Sequence, residues 1–586
     1  MIKYTLSYQY PNRHFIDFEM LIENIEQEQI ELQLPTWRAG RYQLQHYAKN
    51  IQQFSVYNQE GQAIPFQKVT KDRWKLQVGK NKKVVVKYNY YAQQLDGGGS
   101  WLDEELFYVN FINCLMYVEG KIHKEYEVKI LLPSTYQIAC GLEYIKGKQI
   151  NISNALFQEI ILHAQSFYQI VDAPLLAAQS LQHQTYQVAS CESLFHIWFY
   201  GNCEPQWEKL LADFKAFTQV QVNIFEGFPE SEYHFIFIIT PFKFYHGVEH
   251  FNSTVIVLGS EEMFKQTYFY NDIVGVASHE LFHVWNVLKI RPKELLPYDF
   301  TQENYFTTGF IIEGITTFYG DWILARSRVW TLEQYFLELK NLFKRHFNNF
   351  GRLNLSLVDS SFDLWLDGYE KGIPNRKSSI YVEGAVACLI LDLEIRKHTH
   401  NQRSMDDVMR LMWENFGKKH IGYTLEDYIH IVKQVAGREM NEYFEQCILG
   451  TSDLADRLNQ ALQHVGCELF KSYSENLNES HFGFITTQKD NELIVELIAP
   501  DSPADKVLSL KDTILEVNNE KVIQEGNNKM NELLEGKTSI SLKIRRMNKM
   551  KEIQIEQEGK LYFPIYEVRL LEKPSEEQTK SLALWI

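Results

Sequence analysis

His279-Glu280-Leu281-Phe282-His283 decides how this chain is read. The run lies inside Asp272 to Lys289, a stretch whose residues predict a helix. Residues four apart on a helix stand one above the other on the same face. His279 and His283 can therefore direct both imidazoles at one metal ion, with Glu280 beside them as a base for a water activated there. The flanks are apolar: Val274, Val276 and Ala277 before the run, then Leu281, Phe282, Val284, Trp285 and Val287 within and after it. A helix this apolar is buried, and buried imidazoles and carboxylates need partners. A metal ion partners both rings at once.

A hydrolytic zinc takes three protein ligands and keeps one position open. The third ligand is sought in Thr308 to Gly320, where Ile311, Ile312, Ile315, Phe318 and Tyr319 recur at helical spacing and Glu313 is the charged residue. Glu294, Asp299 and Glu303 compete with it, but they lie in a proline-containing connection and read as surface residues. Thr316 and Thr317 follow one turn later, within reach of a ligand side chain. One helix giving H-E-x-x-H and the next giving Glu is the gluzincin layout, and the expected centre is one Zn2+ on His279, His283 and Glu313 with Glu280 as base.

His279 to Asn286, Arg291-Pro292 and Glu313-Gly314-Ile315-Thr316-Thr317-Phe318-Tyr319 together resemble the glycyl aminopeptidase family of gluzincin metallopeptidases. Four further stretches carry the resemblance. They are Leu34-Pro35-Thr36-Trp37-Arg38-Ala39-Gly40-Arg41-Tyr42 with Tyr47 to Ile51, then Gly247-Val248-Glu249-His250, then Ser379 to Ala385, then Leu391 to Arg396. Ala39 stands where the family usually has Pro, and Glu383 where it often has Lys. The resemblance implies a multidomain α+β protein. Its parts are an N-terminal β-sandwich-like domain, a thermolysin-like, mostly α-helical catalytic domain with a small β-sheet, and a C-terminal PDZ-like domain. It implies hydrolysis of the N-terminal peptide bond, with preference for small residues such as Gly or Ala. It also implies that Tyr381, at the start of a later helix, donates to the developing oxyanion.

An aminopeptidase must hold a free ammonium. Glu249 suits that role, because Gly247 lets backbone approach closely and a carboxylate beside a strand can pair with the substrate N-terminus. His250 either assists or packs.

Composition narrows the field. The chain has 586 residues, 45% hydrophobic and 14% aromatic, enough for large cores. A net charge of −16 argues against nucleic acid or an anionic membrane as a main partner. Seven scattered cysteines without C-x-x-C read as free thiols in a reduced compartment. The opening residues already alternate like a strand, and no run of 18 apolar residues occurs, so a cytoplasmic protein that does not enter membranes is expected.

The expected organisation is an N-terminal β domain over 1–170, a catalytic domain over 171–460, a PDZ-like domain over 461–560 and an extension over 561–586. Gly97-Gly98-Gly99 reads as a hairpin loop, with a substrate-covering flap as the alternative. Phe482-Gly483-Phe484, with Ile494 to Ile498 and Ser502 to Asp505, resembles the peptide-binding side of a PDZ domain. Such a groove takes a peptide or a C-terminus as an added strand; the alternative is a domain that only packs. Two rival functions stay open, a zinc endopeptidase lacking the ammonium clamp and a catalytically silent adapter working through the PDZ-like part.

Overall fold

The computed structural model describes residues 1–152, 155–370, 372–522 and 526–586. The chain is a multidomain α+β protein with a β-rich N-terminal part, a mostly helical centre and a β-rich C-terminal part. It forms two compact units. The first holds Met1–Trp330, Ser361–Glu370 and Met405–Val435; the second holds Thr331–Ser360, Lys371–Ser404 and Ala436–Ile586.

In the first unit, strands of period-two sequence build a seven-stranded sheet. Ile16, Phe18, Met20 and Ile22 of Phe15–Glu23 are buried while Asp17 and Glu19 are exposed. That alternation fixes the register against Ile2–Ser7 and Lys83–Tyr91, because a slip of one residue would turn the apolar set outward. A five-stranded sheet follows, in the order Gln182–Tyr186, Leu194–Tyr200, Glu232–Thr240, Ser253–Gly259, Phe244–His250. Its middle strand is an almost unbroken apolar run, as expected where both neighbours are parallel and both faces are covered. Phe244–His250 is an edge, paired antiparallel to Ser253–Gly259. Helix Thr267–Phe282 packs on these last two strands and on helix Thr316–Arg326.

The helix expected over Asp272 to Lys289 begins earlier, at Thr267, and ends at Phe282. The chain then turns through Val287, which is fully buried with φ of +151°, a conformation a β-branched residue adopts only under constraint. Gly97-Gly98-Gly99 is a buried turn. The Gly97 N–H donates to His246 Nδ1 at 3.3 Å, and Asn113 Nδ2 donates to the Gly98 carbonyl at 3.1 Å.

The second unit is built on helices Leu332–Phe347 and Val382–His398. Thr331 and Gln334 close a capping box at the start of the first. Strand Pro564–Leu570 lies on Leu332–Phe347 and pairs with Cys467–Tyr473. A separate sheet runs in the order Phe484–Lys489, Glu492–Ile498, Thr513–Val517, Ser539–Arg546, Lys549–Glu556, with helix Gly526–Leu534 beside it. The terminal helix Glu576–Trp585 is anchored by Trp585, buried 5.9 Å from the Tyr335 ring. Among the described residues none of the seven cysteines is in a disulfide. Among the described residues no helix is long and apolar enough to cross a membrane.

Candidate metal centre

Helix Thr267–Phe282 delivers His279, and its capping residue is His283. The two Nε2 atoms lie 3.1 Å apart, and Glu313 Oε2 lies 3.8 Å from the first and 3.4 Å from the second. The imidazole planes cross at 81°, so their lone pairs converge on one point instead of running side by side. These separations are near the edges of a tetrahedron with bonds of about 2 Å, the shape zinc prefers.

Glu313 comes from a π-helical turn, Phe310–Ile315, leading directly into helix Thr316–Arg326. The wider turn is held from outside. Asn286 Nδ2 donates to the Ile311 carbonyl at 2.8 Å, to the Ile312 carbonyl at 3.2 Å and to Thr316 Oγ1 at 3.1 Å. The Asn286 carbonyl lies 2.8 Å from His283 Nδ1. A proton on Nδ1 donates to that carbonyl, which leaves the Nε2 lone pair for a metal. Gly320 lets the two helices meet closely: a Cβ there would sit 3.1 Å from His279 Cβ.

Two further carboxylates reach the same place. Glu249, Glu280 and His283 have ligand atoms within 4.8 Å of one another. Gly247 makes room for Glu280, since a Cβ on it would lie 2.2 Å from Glu280 Oε1. Gly40, at φ of +73°, does the same for Glu249, whose Oε2 would be 2.4 Å from a Cβ. Glu249 Oε1 and Glu280 Oε2 are buried with no hydrogen-bond partner. Burial raises the pKa of Glu249 and takes that of Glu280 up to about 8. Burial also opposes charge on His283, yet Glu313, Glu249 and Glu280 outweigh it and bring that pKa to about 10. Burial, with His283 alongside, holds His279 well below its ordinary value. Three carboxylates face one protonated imidazole and one that stays neutral, so the group is short of positive charge, and a divalent cation supplies it.

A second cluster, His196, Glu232 and His234, also has ligand atoms within 4.8 Å of one another. It fits a metal poorly. The two rings are stacked at 9°, so their lone pairs run parallel, and Trp198 Nε1 donates to His234 Nδ1 at 3.2 Å, which puts the proton of a neutral ring on Nε2.

His250 points away from Glu280, with Nδ1 2.9 Å from Asp172 Oδ1. Tyr381 belongs to the second unit, at the start of helix Val382–His398, where the Ser379 N–H donates to Glu383 at 2.6 Å. Phe482 and Phe484 are fully buried in the core of the sheet that runs from Phe484–Lys489 to Lys549–Glu556. Gly483 takes φ of +79° against Ser502. Strand Phe484–Lys489 is bridged to helix Gly526–Leu534 by Thr486 Oγ1 donating to Asn527 at 2.6 Å. Asn286 contributes to the site although its residue type does not mark it as a ligand; its place in the run after His283 was the available signal.

Residues 3–179 match the family model described as the peptidase M61 N-terminal domain, and residues 272–387 match the one described as M61 glycyl aminopeptidase. The chain is similar to an aminopeptidase N family protein from Idiomarina loihiensis. Its crystal structure aligns with a TM-score of 0.88 at 23% identity and covers 100% of both chains. An M1 zinc metallopeptidase from Deinococcus radiodurans aligns with a TM-score of 0.48 at 13% identity, over 77% of this chain and 94% of that one. No curated protein matches the sequence.

Proposed function

The chain belongs to the M61 glycyl aminopeptidase family, whose two models together match half of its length, and from this we propose how its residues carry out zinc-dependent aminopeptidase chemistry. His279, His283 and Glu313 hold one zinc ion. When bound, zinc acidifies water and polarises a peptide carbonyl, each an effect of several kcal/mol on the barrier. Glu280 accepts the proton of the attacking water and passes it to the leaving amine. Its carboxylate, pressed against Gly247 and free of hydrogen bonds at Oε2, is available for that transfer.

Glu249 receives the α-ammonium of the substrate. Support comes from its place on the edge strand Phe244–His250, which offers backbone groups for an extended peptide, and from its unpartnered Oε1. This carboxylate favours an exopeptidase over an endopeptidase. His250, tied to Asp172, serves the fold instead. A preference for Gly or Ala at the N-terminus, and Tyr381 as donor to the oxyanion, rest on the family resemblance. For the C-terminal sheet we propose a PDZ-like fold with Phe482 to Phe484 at its peptide-binding side. The bridge between Thr486 and Asn527 supports its alternative role as a packing domain.

The observation that carries this reading is the convergence of two crossed imidazoles and one carboxylate beside Glu280 and Glu249. Hydrolysis of Gly- and Ala-anilides with and without a chelator tests it. Activity should vanish with the chelator, return with zinc, and fall at least a thousandfold in Glu280→Gln. Cleavage that persists in Glu280→Gln would rule out the proposed base. Undiminished cleavage of N-acetylated peptides by Glu249→Ala would favour the endopeptidase.

A further inference from the structure

We propose that the first unit carries a second binding site, for a small carboxylic acid with an apolar body, on the side of strand Phe244–His250 that faces away from Glu280. Alternation along this strand sends Gly247 and Glu249 toward Glu280, and His246 and His250 to the other side. On that side lies a cavity of about 480 Å³, within the range of small-ligand sites. Ile112, Leu296, Pro297 and Phe300 give it apolar walls.

Three polar groups converge there. Arg38 lines the cavity and is 4% exposed. Its guanidinium donates to the Ala39 carbonyl at 3.0 Å, and among the described residues no carboxylate forms an ion pair with it. Asp96, Glu249 and Glu280 act on this guanidinium only from beyond ion-pair distance, and a carboxylate in direct contact is the partner whose shape matches its fork. The turn at Gly98 lies directly on this guanidinium, so the arginine is fixed in place: a Cβ on Gly98 would come within 2.1 Å of Nε.

His250 Nε2 and the Tyr298 hydroxyl are buried without partners, on residues 4% and 7% exposed that both line the cavity. Asp172 orients His250 by accepting a hydrogen bond from Nδ1–H, which leaves Nε2 to accept from an N–H or O–H. The Tyr298 hydroxyl can donate. Arg291 also lines the cavity, but its Nε and Nη2 donate to the Val287 and Leu288 carbonyls, so it contributes field more than contact. The donors and the apolar walls together call for a carboxylate on an apolar body, either a free small acid or the C-terminal residue of a short peptide.

The site is joined to the metal centre by two short pieces of chain. Arg38 is two residues from Gly40, which packs on Glu249, and His250 follows Glu249 directly. Occupancy is therefore placed to adjust Glu249, although binding itself does not depend on the zinc chemistry.

Calorimetric titration of the full chain with 3-phenylpropionate, N-acetyl-Ala-Phe and 3-phenylpropionamide tests the proposal. Neither acid has a free ammonium for Glu249, and the amide lacks the carboxylate. At least one acid should bind at one site per chain, and the amide should not. Binding should weaken tenfold or more in Arg38→Met, severalfold in Tyr298→Phe, and stay unchanged in His279→Gln. If only N-acetyl-Ala-Phe binds, the ligand is a peptide C-terminus; if only 3-phenylpropionate binds, it is a free acid. Failure of both acids, equal binding of the amide, or loss of binding in His279→Gln would overturn the site. Should Arg38→Met not fold, full affinity in Tyr298→Phe would overturn it as well.

Discussion

Gly247 and Glu280 illustrate how one missing methyl group positions a catalytic carboxylate. A Cβ at residue 247 would lie 2.2 Å from Glu280 Oε1, and the carboxylate is the part of this contact that can move. Gly247→Ala should therefore leave the melting temperature within a few degrees of wild type while lowering kcat about a hundredfold, because a displacement near 1 Å costs that much. An unchanged kcat would mean that Glu280 is not held by this contact. Glu383 is a second buried carboxylate whose setting has a measurable consequence. It accepts from the Ser379 N–H at 2.6 Å and from Asn349 Nδ2 at 3.0 Å, yet burial dominates and raises its pKa to about 8. An acid held more tightly protonated when folded adds stability below its unfolded pKa and loses it as pH rises through the folded one. Over about pH 4.5 to 8, Glu383→Gln should gain on wild type by up to about 1.4 kcal/mol per pH unit, read from urea melts at several pH values. A constant difference across that window would refute the assignment.

Helix Thr267–Phe282 and the π-helical turn Phe310–Ile315 form one device, with Asn286 as the link. Asn286→Ala would strip a fully buried group that bonds two carbonyls and a hydroxyl. Denaturant unfolding should show a loss of about 1–3 kcal/mol, and competition with a chromogenic chelator should show metal affinity reduced about 10–100-fold. Unaltered affinity would separate this network from the metal. Much of this device was legible in the sequence. The spacing of His279 and His283, the apolar flanks and the lone charge at Glu313 rest on short-range periodicity, which a single chain displays directly. The π turn was not legible, because one extra residue in a turn leaves the apolar pattern almost unchanged. Nor was the end of the His helix at Phe282, since Val284, Trp285 and Val287 continue the apolar run while the backbone turns at Val287. Gly98 read as loop chemistry; its role as the platform for Arg38 depends on a contact between residues 60 apart in sequence.

Across the whole molecule, the β-rich N-terminal part contributes directly to the first unit's sites. It brings Gly40 against Glu249 and Arg38 into the cavity behind the edge strand. The net charge of −16 and the buried carboxylates at residues 249, 280 and 313 give cations a favourable destination. Two separate groups of His and Glu in the first unit nonetheless have the donor atoms to hold an ion. They differ in ring geometry, crossed at 81° in one and stacked at 9° in the other. An anomalous difference map recorded at the zinc absorption edge, from crystals of the full chain grown without added metal, separates them directly. The account predicts one strong peak between His279, His283 and Glu313 and none at His196 and His234. A map with no peak at the first site, or with its strongest peak at the second, would contradict it.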